Sequence, residues 1–498
     1  MATRTAPLSL LGGLKSALCV RGGWHSQCVS EPRVIQQAYR FALAPTPEQE
    51  PFLDGCAGAS RFWFNQGLGL VKERLDQRAA GQQADVPWSY KALCVAFRGH
   101  AIKDELAPWR GEVVTGSYQA GLEALGRSLQ NFSKARQAGQ HVGFPRYRAK
   151  GRCHEAIIFQ RPRMPDARHV TLDRRLGPMR TKESMRKLTR RLAGDPHARV
   201  MRSTVQRVNG GWVISFSVER SAKQRHARKP SAAVGMDVGL SRLATLSTGA
   251  SAANGRPLKA SLSALRRLQR QLDRQRRANN PANYDAQGRA KRGREWAKSA
   301  RMLRTEQRIA RVHKRVADLR CEQAHLLTTG LVREFGVIGV EALAVKNLMR
   351  NKRLARHIAD VGWGMILTQL KYKTSWSEGS LLVAADRFYP SSKTCSACGA
   401  VKAKLRLAER VFTCDEPGCA HEQDRDLNAA LNLVSMARQH AQAEGLSTYV
   451  ARTGRFTLST ARGGQVSLVN HDQHSPLKCE GPSGPTQRGN TPALAVAS

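Results

Sequence analysis

The spacing of hydrophobic and polar residues divides the chain into strand-like and helical regions. A strand-like run at residues 38–43 stops before a proline, and the next residues have the composition of a helix start, with a threonine cap and early acids. Residues 47–135 then follow mainly helical spacing. Residues 155–220 return to the alternation typical of strands.

Two later regions carry stronger local signals. Asn209-Gly210 separates strand-like runs at residues 200–208 and 212–218, which predicts a hairpin because Asn-Gly supplies the positive φ values of a tight turn. Residues 256–328 are helical in pattern and rich in arginine, with a break at 279–288. Cations outnumber acids there too strongly for pairing within the helices, so we interpret the region as a helical hairpin that faces phosphates.

The two ends of the chain lack such patterns. Residues 1–35 contain no acid before Glu31, and we expect an extension without fixed structure. In residues 441–498 the hydrophobic periodicity fades while Pro, Gly, Ser and Thr increase, which predicts a weakly ordered tail. No apolar run approaches the length of a membrane span.

The charge of the chain indicates a polyanionic partner. Its 498 residues contain 81 Lys and Arg against 38 Asp and Glu, a formal net charge of +43. Such an excess opposes compact folding unless a polyanion neutralises it, and nucleic acid is the usual one. A basic ribosomal or chromatin-type protein is the alternative, but those proteins are mostly shorter and lack the chemistry described next.

Four of the eleven cysteines are spaced as a zinc site. They form a C-x₂-C pair and a C-x₄-C pair separated by fifteen residues, namely Cys395, Cys398, Cys414 and Cys419. His421 could replace Cys419 as a ligand. Because four protein ligands leave no position for a substrate, the zinc would be structural. The other seven cysteines are scattered singly, which suggests a reducing compartment.

Three acids follow hydrophobic segments in places where catalytic carboxylates are often found. Asp237 is predicted in the middle of the first strand of a hairpin, Glu341 at the end of a buried strand, and Asp426 at the start of a helix, with Asp424 as a competitor. Each alone is more often a turn or cap residue. Together they would repel one another unless Mg²⁺ or Mn²⁺ lay between them, and two such ions can drive phosphodiester hydrolysis.

Residues 143–150 alternate cations with rings, a composition that suits clamping of a backbone and stacking of bases. A solvated loop is the alternative. We expect nucleic-acid contacts from this turn, from the arginine-rich helices and from the segment before the first zinc cysteine; the expected residues are Arg146, Tyr147, Arg148, Lys150, Arg266, Arg267, Arg274, Arg387 and Lys393.

With these segments in place, the chain resembles the TnpB (OrfB) family of transposon-encoded proteins and the compact type V CRISPR effectors related to it. The residues that carry the resemblance lie mostly between 231 and 436. They are the Gly235–Gly239 strand, Glu341, the segments 352–356 and 362–363, the run 386–395, the zinc knuckles and the Asp-Arg-Asp-Leu-Asn-Ala-Ala block.

The resemblance implies a bilobed α/β protein that also has β-barrel and helical parts. An RNase H-like (RuvC) nuclease core would occupy residues 229–390 and 423–440, with a zinc ribbon at 391–422. An oligonucleotide-binding-like barrel would occupy 36–46 and 136–228, with a helical recognition insertion at 47–135. Asp237, Glu341 and Asp426 would be the catalytic, Mg²⁺-binding triad.

The resemblance also implies partners and a location. A guide RNA would pair with a DNA target, double- or single-stranded, beside a short motif that the protein reads. The protein would be cytoplasmic and associated with the bacterial or archaeal nucleoid. Ala342 after Glu341 and the wide second knuckle depart from the family pattern. The chain is also longer than most of the transposon family, and this extra length leaves open whether it is a transposon nuclease or a CRISPR effector, with the abundance of the transposon family favouring the former.

Two other functions share these features. A guided DNA-binding protein that acts as a repressor would no longer cut, but we expect such relatives to lose a triad carboxylate, and all three positions are acidic here. A transposase or recombinase would use the same metal chemistry with a hydroxyl nucleophile. The β-rich and helical first half, without another strand-transfer module, favours the nuclease.

Overall fold

The computed structural model describes residues 33–451, except 152, 154, 209, 223–225 and 407, together with three short strands further on. Residues 1–32 and most of the predicted tail lie outside the described residues. Within the described part of the chain, no helix is long and apolar enough to cross a membrane.

The first half of the chain combines one sheet with a group of helices. Its elements in chain order are β1 (Val34–Ala44), α1 (Gln49–Ala79), α2 (Tyr90–Ala96), α3 (His100–Leu106), a 3₁₀ turn (Pro108–Glu112), α4 (Thr115–Gln137), β2 (Ala156–Phe159), β3 (His169–Thr171), β4 (Pro178–Thr181), α5 (Arg186–Gly194), β5 (Arg199–Val208) and β6 (Gly211–Ser221).

The six strands form one antiparallel sheet in the order β2-β5-β6-β1-β4-β3. Since no pairing joins β2 to β3 among the described residues, the expected barrel is an open sheet. The predicted hairpin is confirmed, with Val208 opposite Gly211 and Gly210 at a φ of 79°. Helices α1 and α4 pack together around Trp63, Leu68 and Leu125, and Phe64 is buried beside them.

The second half begins at Lys229 and is built around a second sheet. Its elements are β7 (Lys229–Asp237), β8 (Arg242–Leu246), β9 (Ala250–Ala253), α6 (Pro257–Asn279), a 3₁₀ turn (Pro281–Asn283), α7 (Ala300–Glu334), β10 (Phe335–Glu341), α8 (Val345–Leu348), α9 (Ala355–Val361), α10 (Trp363–Trp376), β11 (Leu381–Ala385), β12 (Val411–Thr413), β13 (Glu422–Asp424), α11 (Arg425–Ala443), β14 (Tyr449–Val450), β15 (Leu458–Ser459), β16 (Gln465–Val466) and β17 (Val469–Asn470).

Strands β11, β10 and β7 run parallel, while β8 and β9 continue the sheet antiparallel. Six of the seven residues of β10 are buried, as expected for a parallel strand covered on both faces. Helix α11 covers one face and approaches closely at two glycines. A Cβ on Gly235 would lie 2.6 Å from Val434 N, and one on Gly339 would lie 2.9 Å from Ala437 Cβ.

The arginine-rich region is a helical pair, but its break is longer than the sequence suggested, spanning residues 280–299. Asp360 of α9 fastens the pair. Its carboxylate accepts hydrogen bonds from Leu258 N (2.8 Å) and Lys259 N (3.1 Å) at the start of α6, and pairs with Arg320 of α7 at 3.0 Å. These bonds satisfy amides that the helix itself leaves unpaired.

The segment predicted to be a weakly ordered tail begins with ordered structure. Helix α11 continues to Ala443, and Tyr449–Val450 pairs in parallel with β7. Ala451 is buried in the core beside that strand.

Candidate nuclease site

Two of the predicted acids end neighbouring parallel strands. Asp237 is the last residue of β7, and not a mid-strand residue as the sequence suggested; Glu341 is the last residue of β10. The register pairs Met236 with Val340, so both carboxylates leave the same edge of the sheet. Such an edge is the usual position of a site in open α/β sheets.

Helix α11 supplies the third acid. Close packing of α11 on Gly235 and Gly339 aims the start of the helix at this edge, where Asp426 is the second helical residue. A Cβ placed on Gly239, two residues after Asp237, would lie 3.9 Å from Asp426 Oδ2. The three predicted carboxylates therefore come together from β7, β10 and α11.

Asp424 has a different environment. It is the N-cap of α11, and its carboxylate accepts hydrogen bonds from Asp426 N (3.0 Å) and Leu427 N (3.1 Å). Its other oxygen pairs with Arg242 at 3.1 Å. Because both oxygens already have partners, Asp424 is the weaker candidate for the third metal ligand.

Burial and neighbouring negative charges both oppose ionisation of these carboxyls. Burial, followed by the charges of Glu341 and Asp426, raises the pKa of Asp237 from 3.8 to about 8. Burial and the charge of Asp424 raise the pKa of Asp426, although Arg242 and Arg410 oppose that change. A divalent cation would relieve this repulsion, and hard oxygen ligands of this kind suit Mg²⁺ or Mn²⁺.

The carboxylates are not gathered as tightly as the cysteines. Among the described residues, only the four-cysteine group has all its ligand atoms within 4.8 Å of one another. A wider spread fits two ions about 3.5–4 Å apart, since different carboxylates would then reach different ions. The donor set therefore fits a divalent-metal site.

A serine that sequence reasoning missed contacts the site. Ser391 is buried, with an exposed fraction of 2%, and its hydroxyl donates a hydrogen bond to Glu341 Oε1. Its backbone oxygen accepts a hydrogen bond from Asn432 Nδ2 at 2.8 Å. Asn432 thus connects Glu341, through Ser391, to the helix that carries Asp426.

The four predicted cysteines form one cluster. Cys395 Sγ lies 3.8 Å from Cys419 Sγ, and Cys398 Sγ lies 3.6 Å from Cys414 Sγ. Four sulfurs around zinc at about 2.3 Å would be about 3.8 Å apart, so the geometry fits a tetrahedral zinc ion. His421 is outside the cluster, and its Nε2 contacts Ser396 Oγ at 3.2 Å.

Two buried asparagines of α11 attach this cluster to the carboxylates. Asn428 Nδ2 donates to Thr394 O at 2.7 Å, and Asn428 Oδ1 accepts from Ser396 N at 2.9 Å. Asn432 also donates to Thr394 O, at 2.7 Å. The bonded backbone groups belong to Thr394 and Ser396, the residues on either side of Cys395. A pair of asparagines at i and i+4 on an otherwise apolar helix face was the signal available in the sequence.

The predicted nucleic-acid contacts differ in their exposure. Arg266, Arg267 and Arg274 are exposed on α6, on the side away from its buried leucines, and Arg146, Tyr147, Lys150 and Arg387 are also exposed. Lys393 is half-buried, with Nζ donating to Ala403 O.

Arg148 is placed differently from the other predicted contacts. Its guanidinium lies 3.7 Å from the centre of the Phe64 ring, and burial lowers its pKa. The Asn65 side chain accepts a hydrogen bond from Arg148 N through Oδ1 and donates one to Arg148 O through Nδ2. Arg148 therefore holds the turn at residues 143–150 against α1. Its packing gives no support to the prediction that its side chain contacts nucleic acid.

Three family models match successive parts of the chain. They are described as "Helix-turn-helix domain" at residues 35–79, "Probable transposase" at 215–352 and "Cas12f1-like, TNB domain" at 363–433. The third spans Glu422–Asp424 and all four cysteines, and the second spans Asp237 and Glu341.

Curated relatives match most of the chain. A "Putative RNA-guided DNA endonuclease" of Mycobacterium tuberculosis is 34% identical over 426 residues, covering 80% of this chain and 86% of the relative. One of the same name from Streptomyces pristinaespiralis is 32% identical and covers 89% and 97%. The Escherichia coli protein "Putative RNA-guided DNA endonuclease InsQ" is 28% identical and covers 80% and 92%.

Among solved structures, the "Cryo-EM structure of the Cas12f1-sgRNA-target DNA complex" aligns with 80% of this chain and 99% of that chain, at 13% identity and a TM-score of 0.37. That score is too low to support a shared fold. The identity and coverage of the curated relatives are sufficient by themselves, and they show that this chain belongs to the TnpB (OrfB) family of RNA-guided DNA endonucleases.

Proposed function

We propose that this protein is an RNA-guided DNA endonuclease that cuts phosphodiester bonds with the help of Mg²⁺. The observation that carries the proposal is the meeting of Asp237, Glu341 and Asp426 at one sheet edge. Its relatives' names support the guide RNA and the DNA target, and the net charge of +43 suits a protein that holds both.

The carboxylates would perform the chemistry as metal ligands. Bound Mg²⁺ supplies an activated water and stabilises the leaving 3′ oxygen. Asp237 and Glu341 hold their positions because rigid, buried strands end at them. Ser391 orients the Glu341 carboxylate through its hydrogen bond, and the Asp424 cap fixes the backbone on which Asp426 stands.

The proposal assigns the second sheet with α11 to an RNase H-like (RuvC) core, at residues 229–390 and 423–440. Three parallel strands followed by an antiparallel pair, with acids at the carboxyl edge, support this assignment. The cysteine cluster at 391–422 would be an inserted zinc ribbon. The open sheet at 36–46 and 136–228, with the helices of 47–135, would hold the guide RNA.

A cleavage assay with carboxamide variants tests this proposal. The purified protein with its guide RNA is given a matching plasmid, and Asp237→Asn, Glu341→Gln and Asp426→Asn should each slow cleavage at least about 10³-fold while target binding persists. Asp424→Asn is the matched control, because asparagine caps a helix as well as aspartate does. It should cleave at near the original rate.

The outcomes separate the competing functions. Guided target binding without cleavage by the unaltered protein would indicate a repressor. Cleavage that survives all three triad substitutions would overturn the assignment of the site, and loss of activity in Asp424→Asn alone would move the third ligand to that residue. Joining of a 3′ hydroxyl to a new strand would indicate a transposase.

A further inference from the structure

The loop between β11 and the first zinc cysteine is fixed to the catalytic edge at both ends. At one end, Ala385 is the register partner of Glu341 in the parallel sheet. At the other, Ser391 donates its hydrogen bond to the Glu341 carboxylate. The five residues between these points, 386–390, are named here the edge loop. Glu341 is thus the anchor of both ends.

The edge loop turns sharply and points its centre outward. Tyr389 N donates to Asp386 O at 3.1 Å, which closes a β-turn, and Phe388 N donates to Asp386 Oδ1 at 2.9 Å. Tyr389 is held by a bond from its hydroxyl to Asn432 O at 3.3 Å. Arg387 and Phe388 therefore occupy the two central positions of the turn.

These connections limit the distance from Phe388 to the carboxylates. Phe388 is three residues from Ala385 and three from Ser391. A chain advances at most about 3.5 Å per residue, so the Phe388 Cα lies within about 10 Å of the Ala385 Cα. Ala385 and Glu341 are on neighbouring strands, which are about 4.8 Å apart. The Phe388 ring is therefore separated from the Glu341 carboxylate by no more than the length of a few nucleotides.

Phe388 is the most exposed large apolar side chain among the described residues, with an exposed fraction of 83%. The next most exposed aromatic is Tyr147, at 55%. A single exposed ring is ordinary on a protein surface. This ring, however, is at the tip of a constrained turn beside a metal site, and the Arg387 guanidinium lies 5.5 Å from its centre.

We propose that Phe388 is a stacking platform for an unpaired base of the DNA strand that enters the carboxylate site, with Arg387 contacting the adjacent phosphate. An aromatic face with a neighbouring cation is the chemistry that binds single strands without reading their sequence. The ring can reach a base face only where the duplex is open, so the ligand is single-stranded DNA. The proposal rests on the proposed nuclease function.

A fluorescent base tests the contact directly. Single-stranded oligonucleotides carrying 2-aminopurine at successive positions are titrated against the full, zinc-loaded protein with its guide RNA, in buffer without Mg²⁺ or Mn²⁺ so that no strand is cut. Stacking quenches 2-aminopurine. Phe388→Ala should abolish quenching at one or two positions and weaken affinity about fivefold, the lower end of the effect of one stacked base.

Two further variants make the test specific. Phe388→Trp should restore the quenching and the affinity, while Phe388→Leu, which keeps an apolar side chain without a ring, should behave like Phe388→Ala. Leu446→Ala, at an exposed apolar position just after α11, should leave both unchanged. Since the side chain is exposed, none of these variants should alter the melting temperature.

Equal quenching in the unaltered protein and in Phe388→Ala at every position would overturn the stacking role. Cleavage of a guided plasmid by the same preparation is measured in parallel, so that the two proposals fail separately. Ring-dependent quenching in a protein that does not cleave would leave the platform in place and remove the nuclease.

Discussion

Replacing Asp237 by asparagine should stabilise the protein without bound Mg²⁺ while it abolishes cleavage. The ordinary pKa of an aspartate carboxyl is 3.8, but burial and the charges of Glu341 and Asp426 raise the pKa of Asp237 to about 8 in the fold. The folded state therefore holds a proton more tightly than the unfolded state does. Asparagine has almost the same shape and carries no charge to desolvate.

The sign of the pH dependence follows from this difference. Stability from the raised pKa is fully present below pH 3.8, and it is lost progressively as pH rises from there to about 8. Each pH unit in this window corresponds to about 1.4 kcal/mol. Because Asp237 is only partly shielded from water, we expect about 1–3 kcal/mol of loss between pH 6 and pH 8.

Denaturant unfolding of the zinc-loaded protein without added Mg²⁺, across pH 6 to 8, measures this loss. Hydrogen exchange of the β7 and α11 amides reports the region concerned. The unaltered protein should lose stability as pH rises, and Asp237→Asn should show a flatter dependence and the higher stability at pH 8. Added Mg²⁺ should stabilise the unaltered protein and have little effect on the variant. Equal slopes with equal stabilities would refute the reasoning.

Four other changes have defined outcomes. Cys395→Ser should lower zinc content, measured by atomic absorption, and the melting temperature; retention of one tightly bound zinc and an unchanged melting profile would contradict the structural-zinc assignment. Gly235→Ala should cost about 1–3 kcal/mol in denaturant unfolding, because its Cβ meets the α11 backbone, and a neutral effect would mean looser packing. Asn432→Ala should leave Ser391 O without its side-chain donor and raise the Mg²⁺ concentration for half-maximal cleavage; an unchanged requirement would separate Asn432 from Glu341. Guide-RNA affinity, followed by filter binding, should fall steeply with salt, and a flat dependence would argue against phosphate contacts.

Much of the candidate site follows from local sequence patterns. Glu341 ends an uninterrupted run of apolar residues, and such a run is almost obliged to become a buried strand with its next polar residue at the edge. The cysteine spacing is equally local, because two short knuckles can close around one ion without help from distant residues. The hairpin at Gly210 depends on turn chemistry alone.

The resemblance already favoured Asp426 over Asp424, but the physical reason needed three-dimensional contacts. The two acids are two residues apart, and only the hydrogen bonds at the start of α11 show which one is the cap. Ser391 and Asn432 were missed for a similar reason. Their partners are 50 and 41 residues away, and although the asparagine pair on α11 indicates buried polar positions, no local pattern identifies their partners.

Tertiary packing also changed the interpretation of individual side chains. Arg148 and Tyr147 belong to the same basic turn, yet Arg148 packs on Phe64 while Tyr147 remains exposed. The composition of the turn does not show which side chain will be packed and which exposed, because both residue types suit a nucleic-acid contact. Likewise, Tyr449–Val450 is too short to predict as a strand, and it becomes one only because β7 offers a partner.

The central claim is that an RNA directs metal-dependent cleavage by Asp237, Glu341 and Asp426. The most direct measurement is to express the gene with its flanking DNA, sequence the RNA that copurifies, and then replace the variable end of that RNA. Cleavage should move to the plasmid that matches the new sequence, and it should stop in Asp237→Asn. Cleavage that ignores the replaced sequence, or a protein that purifies without a discrete RNA and still cuts, would contradict the account.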